Sequence, residues 1–300
     1  MKKKKLDLFD ICNYTFMLLI LFITIYPLYF TVIASISDPK AVATGEVVWL
    51  PVGFTLDSYK QVFEYKPIWT GYANTILYTV CGTLFNLFLT IPAAYTLSKK
   101  YLPGKNILMG FFMVTMYFSG GMVPTYLLVK NLGLVNSRWA LIILGGISIY
   151  NLIVTKTFFS TGISESLYEA ARIDGAGEIR TFFSIAVPLA KPIIAVMLLY
   201  YAVAHWNDYF TALLYVNDRD LVPLQTVLRE VLIQNQSALD PEKMQRTMSE
   251  GELIDSAKRV YTAYAMKYSM VFIASAPLLA IYPFIQKYFV KGVMIGAVKE

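Results

Sequence analysis

Six stretches of this chain are long and apolar enough to cross a lipid bilayer: near Tyr14–Ser35, Gly71–Ser98, Ile107–Val129, Trp139–Phe159, Pro192–Leu214 and Ser269–Val290. A hydrocarbon core of about 30 Å takes about 20 residues of helix. Hydrocarbon cannot satisfy exposed backbone N–H and C=O groups, so continuous apolar runs of this length imply helices. Barrel strands would run for about ten residues and alternate in polarity. The sequence therefore predicts an all-α membrane protein with six transmembrane helices. A soluble domain is excluded by composition, since 57% of the 300 residues are hydrophobic and only 15% are charged.

The lysines and arginines orient those helices. Lys2–Lys5 precede the first stretch, and Lys99, Lys100 and Lys105 crowd the loop after the second. Arg172, Arg180 and Lys191 lie in the segment 160–192, and Lys291 and Lys299 in the tail. The opposite loop, Lys130–Arg138, has one basic residue at each end. By the positive-inside rule both termini face the cytoplasm. The formal net charge of +6 then reads as an orientation signal and a contact with anionic lipid, with no array suited to nucleic acid. The first apolar stretch is longer than a signal-peptide core and reads as a retained helix. Cys12 and Cys81 read as buried small hydrophobes.

The segment 160–192 is too polar for lipid yet patterned like folded structure. Ser166 and Glu169 have capping-box spacing. Leu167, Ala170, Ala171 and Asp174 share one narrow helical face, with Glu165, Glu169 and Arg172 beside it at pairing distances. Gly175 and Gly177 break the helix. A second amphipathic stretch, Ile179–Ile185, leads to Pro188 and Pro192, the latter placed for the first turn of the fifth span. On pattern alone this is either a rigid lever between two spans or an amphipathic helix resting on headgroups.

Glu169-Ala170-Ala171, Asp174-Gly175-Ala176, Ile185 and Pro188-Leu189 closely resemble the EAA loop of bacterial ABC-importer permeases. That resemblance implies a type I importer permease with a cytoplasmic coupling helix. Glu169 would contact an ATPase, Ala170 and Ala171 would pack in its cleft, Gly175 would permit the turn, and Asp174 belongs to the same motif. Trp206-Asn207-Asp208 and the tail Phe289-Val290-Lys291-Gly292 with Gly296-Ala297-Val298-Lys299 resemble the carbohydrate-uptake, maltose-importer-like class, in its polysaccharide or complex-oligosaccharide branch. The implied partners are a second homologous permease, a dimer of ATP-binding subunits, an extracytoplasmic solute-binding protein and a carbohydrate cargo. On this reading residues 1–70 form the first helix and an outer loop, 71–290 the core with the coupling loop 160–192 and an outward segment 216–267, and 291–300 the tail. The outward segment is longer than in simpler members.

His205, Trp206, Asn207 and Asp208 form the polar cluster inside the fifth span. They read either as a lining of the translocation path or as helix–helix hydrogen bonding. Pro27, Pro92, Pro124, Pro277 and Pro283, with Gly120-Gly121 and Gly145-Gly146, interrupt or end spans. Trp49, Trp69 and Trp139 fit interfacial anchoring. No GxxxxGK[ST] loop occurs, so ATP and Mg belong to a partner. The chain is expected to hold no cofactor, no metal and no catalytic residue of its own. The competing reading is a secondary transporter, which should show several intramembrane carboxylates; Asp208 is the one acid placed inside a span.

Overall fold

The computed structural model describes residues 7–238, 261, 264–281 and 283. Lys2–Lys5, much of the outward segment, the end of the sixth stretch and the tail 291–300 lie outside the described residues. All regular structure among the described residues is helical. The described residues of Met1–Ile68 and Leu228–Ala276 form one compact unit, and those of Trp69–Val227 and Pro277–Glu300 form the other.

The first unit begins with α1 (Leu8–Ser35), started by a capping box between Asp7 and Asp10. Pro27 lies inside α1 without ending it. Nearly all of α1 is exposed, including Phe9, Phe16, Leu18 and Phe22. So large an apolar surface marks a lipid or partner contact. Cys12 lies on this exposed surface, and Cys81 is half-buried, so the expectation of two buried cysteines fails for Cys12. After the short α2 (Pro39–Ala43), the chain doubles back before α3 (Asp57–Glu64). Asp38 N–H donates to the Val52 carbonyl, and Thr55 N–H to the Ile36 carbonyl. The Trp49 ring packs 4.9 Å from the Tyr26 ring. Ile33, Ala34, Ala41, Val42 and Val47 make a small core, which Phe30, Tyr264 and Tyr268 close.

The second unit is built on α4 (Lys66–Ser98), which runs through Pro92 unbroken. The stretches that follow are not continuous helices. α5 (Lys105–Tyr117) and α6 (Met122–Asn131) are bent by 111° at a break that ends on Gly121, whose φ is +90°. The fourth stretch is divided into α7 (Arg138–Ile143) and α8 (Ile149–Thr161) around Gly145, at φ +71°. Such angles are open to glycine and strained for most residues. Next come α9 (Glu165–Ile173) and α10 (Glu178–Leu189), then α11 (Lys191–Asn207) with Pro192 in its first turn. α11 stops at Asp208, and α12 (Phe210–Tyr215) continues the fifth stretch in a new direction. α13 (Leu224–Ala238) and α14 (Tyr264–Ile281) complete the order.

Among the described residues, three helices are thus long and apolar enough to cross a membrane in one piece: α1, α4 and α14. The pairs α5–α6 and α10–α11 raise that number to five if each is one span. The interruptions expected at Gly120-Gly121 and Gly145-Gly146 are present in the third and fourth stretches, a further break falls at Asp208 in the fifth, and Pro27 and Pro92 interrupt neither helix that holds them. Membrane proteins tolerate such breaks where the freed backbone is buried in protein or lines a water-filled cavity. At the break between α7 and α8 it is α4 that supplies the partner.

Candidate functional site

Along α4 the residues Asn74, Tyr78, Gly82, Asn86 and Thr90 recur every fourth position and so line one face. The stripe spans about 24 Å. Each member meets either the short 3-10 turn Arg219–Leu221 or a broken helix. Asn74 donates to the Asp220 carbonyl at 2.7 Å, and the Tyr78 hydroxyl to that of Leu221 at 2.8 Å. Neighbouring Thr75 accepts the Leu224 N–H. Gly82 lies against the His205 ring so closely that a Cβ would sit 2.4 Å from it. Thr90 shares a 2.7 Å hydrogen bond with the Tyr201 hydroxyl.

Asn86 is the centre of this ladder. It is 1% exposed, and its amide donates to the Gly145 and Gly146 carbonyls at 3.1 and 2.8 Å. Those are carbonyls freed by the α7–α8 break. Its Oδ1 lies 2.7 Å from His205 Nε2. Carbonyls only accept, so the amide orientation is fixed, and His205 Nε2 carries the hydrogen and donates it.

On the other side of these contacts lies a cavity of about 730 Å³. Asn86, Ser148, Asn151, Tyr201, His205, Asn207, Asp208 and Thr211 give it polar groups, and Phe210, Leu144 and Met122 give it apolar ones. His205, Asn207 and Asp208 are thus brought together as expected of neighbours on one lining. Trp206 is not among the lining residues: it is buried at 5% exposure, with its ring 5.8 Å from Tyr72 in an edge-on contact. The helical turn sends it into the packing behind the cavity. Asp208 has a further structural duty, accepting the Thr211 N–H at 3.1 Å where α12 restarts. Asn207 donates back to the Val203 carbonyl of α11, which leaves its Oδ1 available. The lining holds no lysine or arginine.

The segment around α9 forms the other candidate site. The capping box expected of Ser166 and Glu169 is absent. Ser164 is the N-cap residue, and it makes no side-chain cap bond; its hydroxyl is held by that of Ser166 at 2.8 Å. The helix ends as expected. Gly175 takes φ +74°, its N–H reaches the Arg172 carbonyl, and the Ala176 N–H reaches that of Ala171. This is a Schellman termination. The expected small-residue face divides. Ala171 turns inward with Tyr168, whereas Leu167, Ala170 and Asp174 stay exposed. Glu169 is exposed and makes no ion pair with a described residue. Ile173 is 86% exposed, and Ile179 and Phe183 also stand out from the surface.

Charge pairing here runs between elements rather than along α9. Lys100 pairs with Glu165, and Arg172 lies 3.9 Å from Glu178. Hydrogen bonding to Lys100 holds the Glu165 carboxyl below its ordinary range. Lys99, only 7% exposed, lies over the Tyr168 ring at 3.4 Å and the Tyr95 ring at 4.1 Å. Burial lowers the Lys99 ammonium from its ordinary value and pushes the Tyr168 hydroxyl up to about 12. Sequence reasoning missed Tyr168 and Lys99, which are paired across 69 positions of chain, as it missed the α4 stripe.

Residues 67–295 match the family described as binding-protein-dependent transport system inner membrane component. Protein LplC of Bacillus subtilis (strain 168) is 42% identical over 97% of this chain and 95% of its own length. The polygalacturonan/rhamnogalacturonan transport system permease protein YtcP of the same organism is 39% identical, over 97% of this chain and 98% of its own. A crystal structure of a bacterial ABC transporter involved in the import of the acidic polysaccharide alginate contains a chain of similar fold. Its TM-score is 0.83 at 30% identity, covering 96% of this chain and 99% of that one.

Proposed function

Because the chain belongs to the family of inner-membrane components of binding-protein-dependent transport systems, and so is a multi-pass permease subunit of an ABC importer rather than an enzyme, we propose that the 730 Å³ cavity beside α11 is its share of a path for a sugar, an oligosaccharide or polysaccharide fragment. The observation that carries this reading is the wall itself. Hydroxyl and amide groups of Asn86, Ser148, Asn151, Tyr201, Asn207 and Thr211 alternate with apolar surface. Sugars present the same mixture of hydroxyl rims and apolar faces, and pockets that bind them place few polar groups among apolar ones. His205, Asn207 and Asp208 form part of the lining, and Trp206 holds α11 against α4 from behind.

The segment around Glu169, Ala170, Ala171, Asp174 and Gly175 is the coupling helix. The exposed carboxylate of Glu169 and the exposed apolar side chains of Leu167, Ile173 and Ile179 support this reading, because they offer an ATP-binding subunit both a charge and an apolar grip. The chain then crosses the membrane six times, with both termini in the cytoplasm. It works with a second permease, a solute-binding protein and a dimer of ATPases that carry the ATP and Mg. Movement of α9 passes through α10 and Pro192 into α11, with few flexible bonds between them.

Reconstituted vesicles test the proposal. Ala204→Trp fills the cavity from α11. The assembled complex with this variant should keep ATP hydrolysis stimulated by the binding protein and lose most sugar uptake. Full uptake by the variant would remove the cavity from the path. Uptake by this chain in vesicles lacking the ATPase would establish a secondary transporter instead.

A further inference from the structure

A second cavity, of about 290 Å³, lies between the end of α4, the start of α5, α8 and the inner side of α9. Five cations border it: Lys99, Lys100, Lys105, Lys156 and Arg172. Two carboxylates join them, Glu165 and Glu169. The pairing is incomplete. Lys100 is held by Glu165, and Arg172 faces Glu178. Lys99 lies over two aromatic rings and makes no ion pair with a described residue, and Glu178 and Glu165 act on it only at longer range. Lys105 reaches the carbonyls of Ser98 and Lys99, both at 3.3 Å, which carry no charge. Half-buried Lys156 makes no ion pair with a described residue.

Three half-buried or buried ammonium groups around one recess repel one another, and bringing an anion among them relieves that repulsion. The recess is bordered by the start of a helix with a lipid-type surface. α5, which begins at Lys105, exposes Ile107 at 79% and Phe111 at 65%. Basic pockets between membrane helices suit phosphate-bearing headgroups.

We propose that this cavity binds a phosphate group, carried on an anionic membrane lipid or free in solution, and that the bound anion ties Lys105 and Lys156 to the base of the α9 seat. The proposal rests on the membrane reading of the chain and not on its cargo. It would survive a failure of the sugar-path test.

The assembled importer in phosphatidylcholine nanodiscs is the material for the test. Phosphatidylglycerol is titrated in, or inorganic phosphate is added, and the thermal midpoint is followed. Phosphatidylglycerol should raise the midpoint, with half-saturation about fivefold weaker in Lys156→Gln. Lys105→Gln should shift it in the same direction and serves if Lys156→Gln does not assemble. Lys130→Gln, at the end of α6, makes the same charge change away from the cavity and should leave half-saturation unchanged. If inorganic phosphate alone gives the rise that depends on Lys156, the anion is free phosphate and not lipid. The proposal is overturned if neither probe raises the midpoint, or if Lys130→Gln weakens the response as much as the cavity variants do.

Discussion

At Asn86 one side chain meets three partners, two backbone carbonyls and an imidazole, with almost no access to solvent. Truncation leaves all three unpaired. In a soluble core each would cost about 1–3 kcal/mol. Membrane proteins measure nearer 0.6 kcal/mol per interhelical bond, because the unfolded state inside lipid finds substitutes. The membrane value governs here, so Asn86→Ala should cost about 2 kcal/mol, read as a lower unfolding midpoint in detergent. Gly82→Ala should disturb the same histidine from one helical turn away on α4, by about 1–3 kcal/mol. The two share a partner, so the double variant should cost less than the sum. Full additivity would mean that His205 does not join them. The stripe was present in the sequence as polar residues four apart in an apolar run. It escaped because the charged and aromatic cluster at His205–Asp208 drew the reading to the fifth span. What Asn86 does depends on a break sixty positions away, which local pattern does not reveal.

At the scale of the element, α9 depends on how it ends. Gly175 holds a left-handed conformation that costs a residue with a Cβ about 1–2 kcal/mol. Gly175→Ala should shift the turn and break the link between ATP hydrolysis and uptake: hydrolysis continues, transport falls, and the protein still inserts. Gly175→Asn, which tolerates that conformation, should recover most of the transport. Equal transport in all three proteins would count against a role for the turn. This termination was legible because glycine there has one physical reason. The start of the helix was not, since Ser164 and Ser166 are both good cap residues and two positions apart. The side that packs inward was also hidden. Tyr168 is drawn in by Lys99, and a cation held over desolvated rings is worth about 2 kcal/mol, enough to fix which face is buried.

For the whole molecule, the sequence established the membrane class and the places of the apolar stretches, because both follow from what hydrocarbon requires of a backbone. The glycine pairs marked two of the bends, and the break at Asp208 carried no such mark. A glycine pair permits a break, but only a partner such as Asn86 makes one stable. Orientation is the molecular-scale prediction. With Cys12 and Cys81 replaced by serine, Ser160→Cys should react with an impermeant thiol reagent only from the cytoplasmic face. Asn131→Cys should react only from outside. The reverse pattern would overturn the positive-inside assignment.

The ladder on α4 has a consequence for the idle transporter. Side chains of the protein itself satisfy the carbonyls of Gly145 and Gly146 and the N–H of Thr211. No guest is required to keep the bent segments folded. The bent backbone is therefore already in place when cargo arrives, and binding need not supply the free energy of folding it.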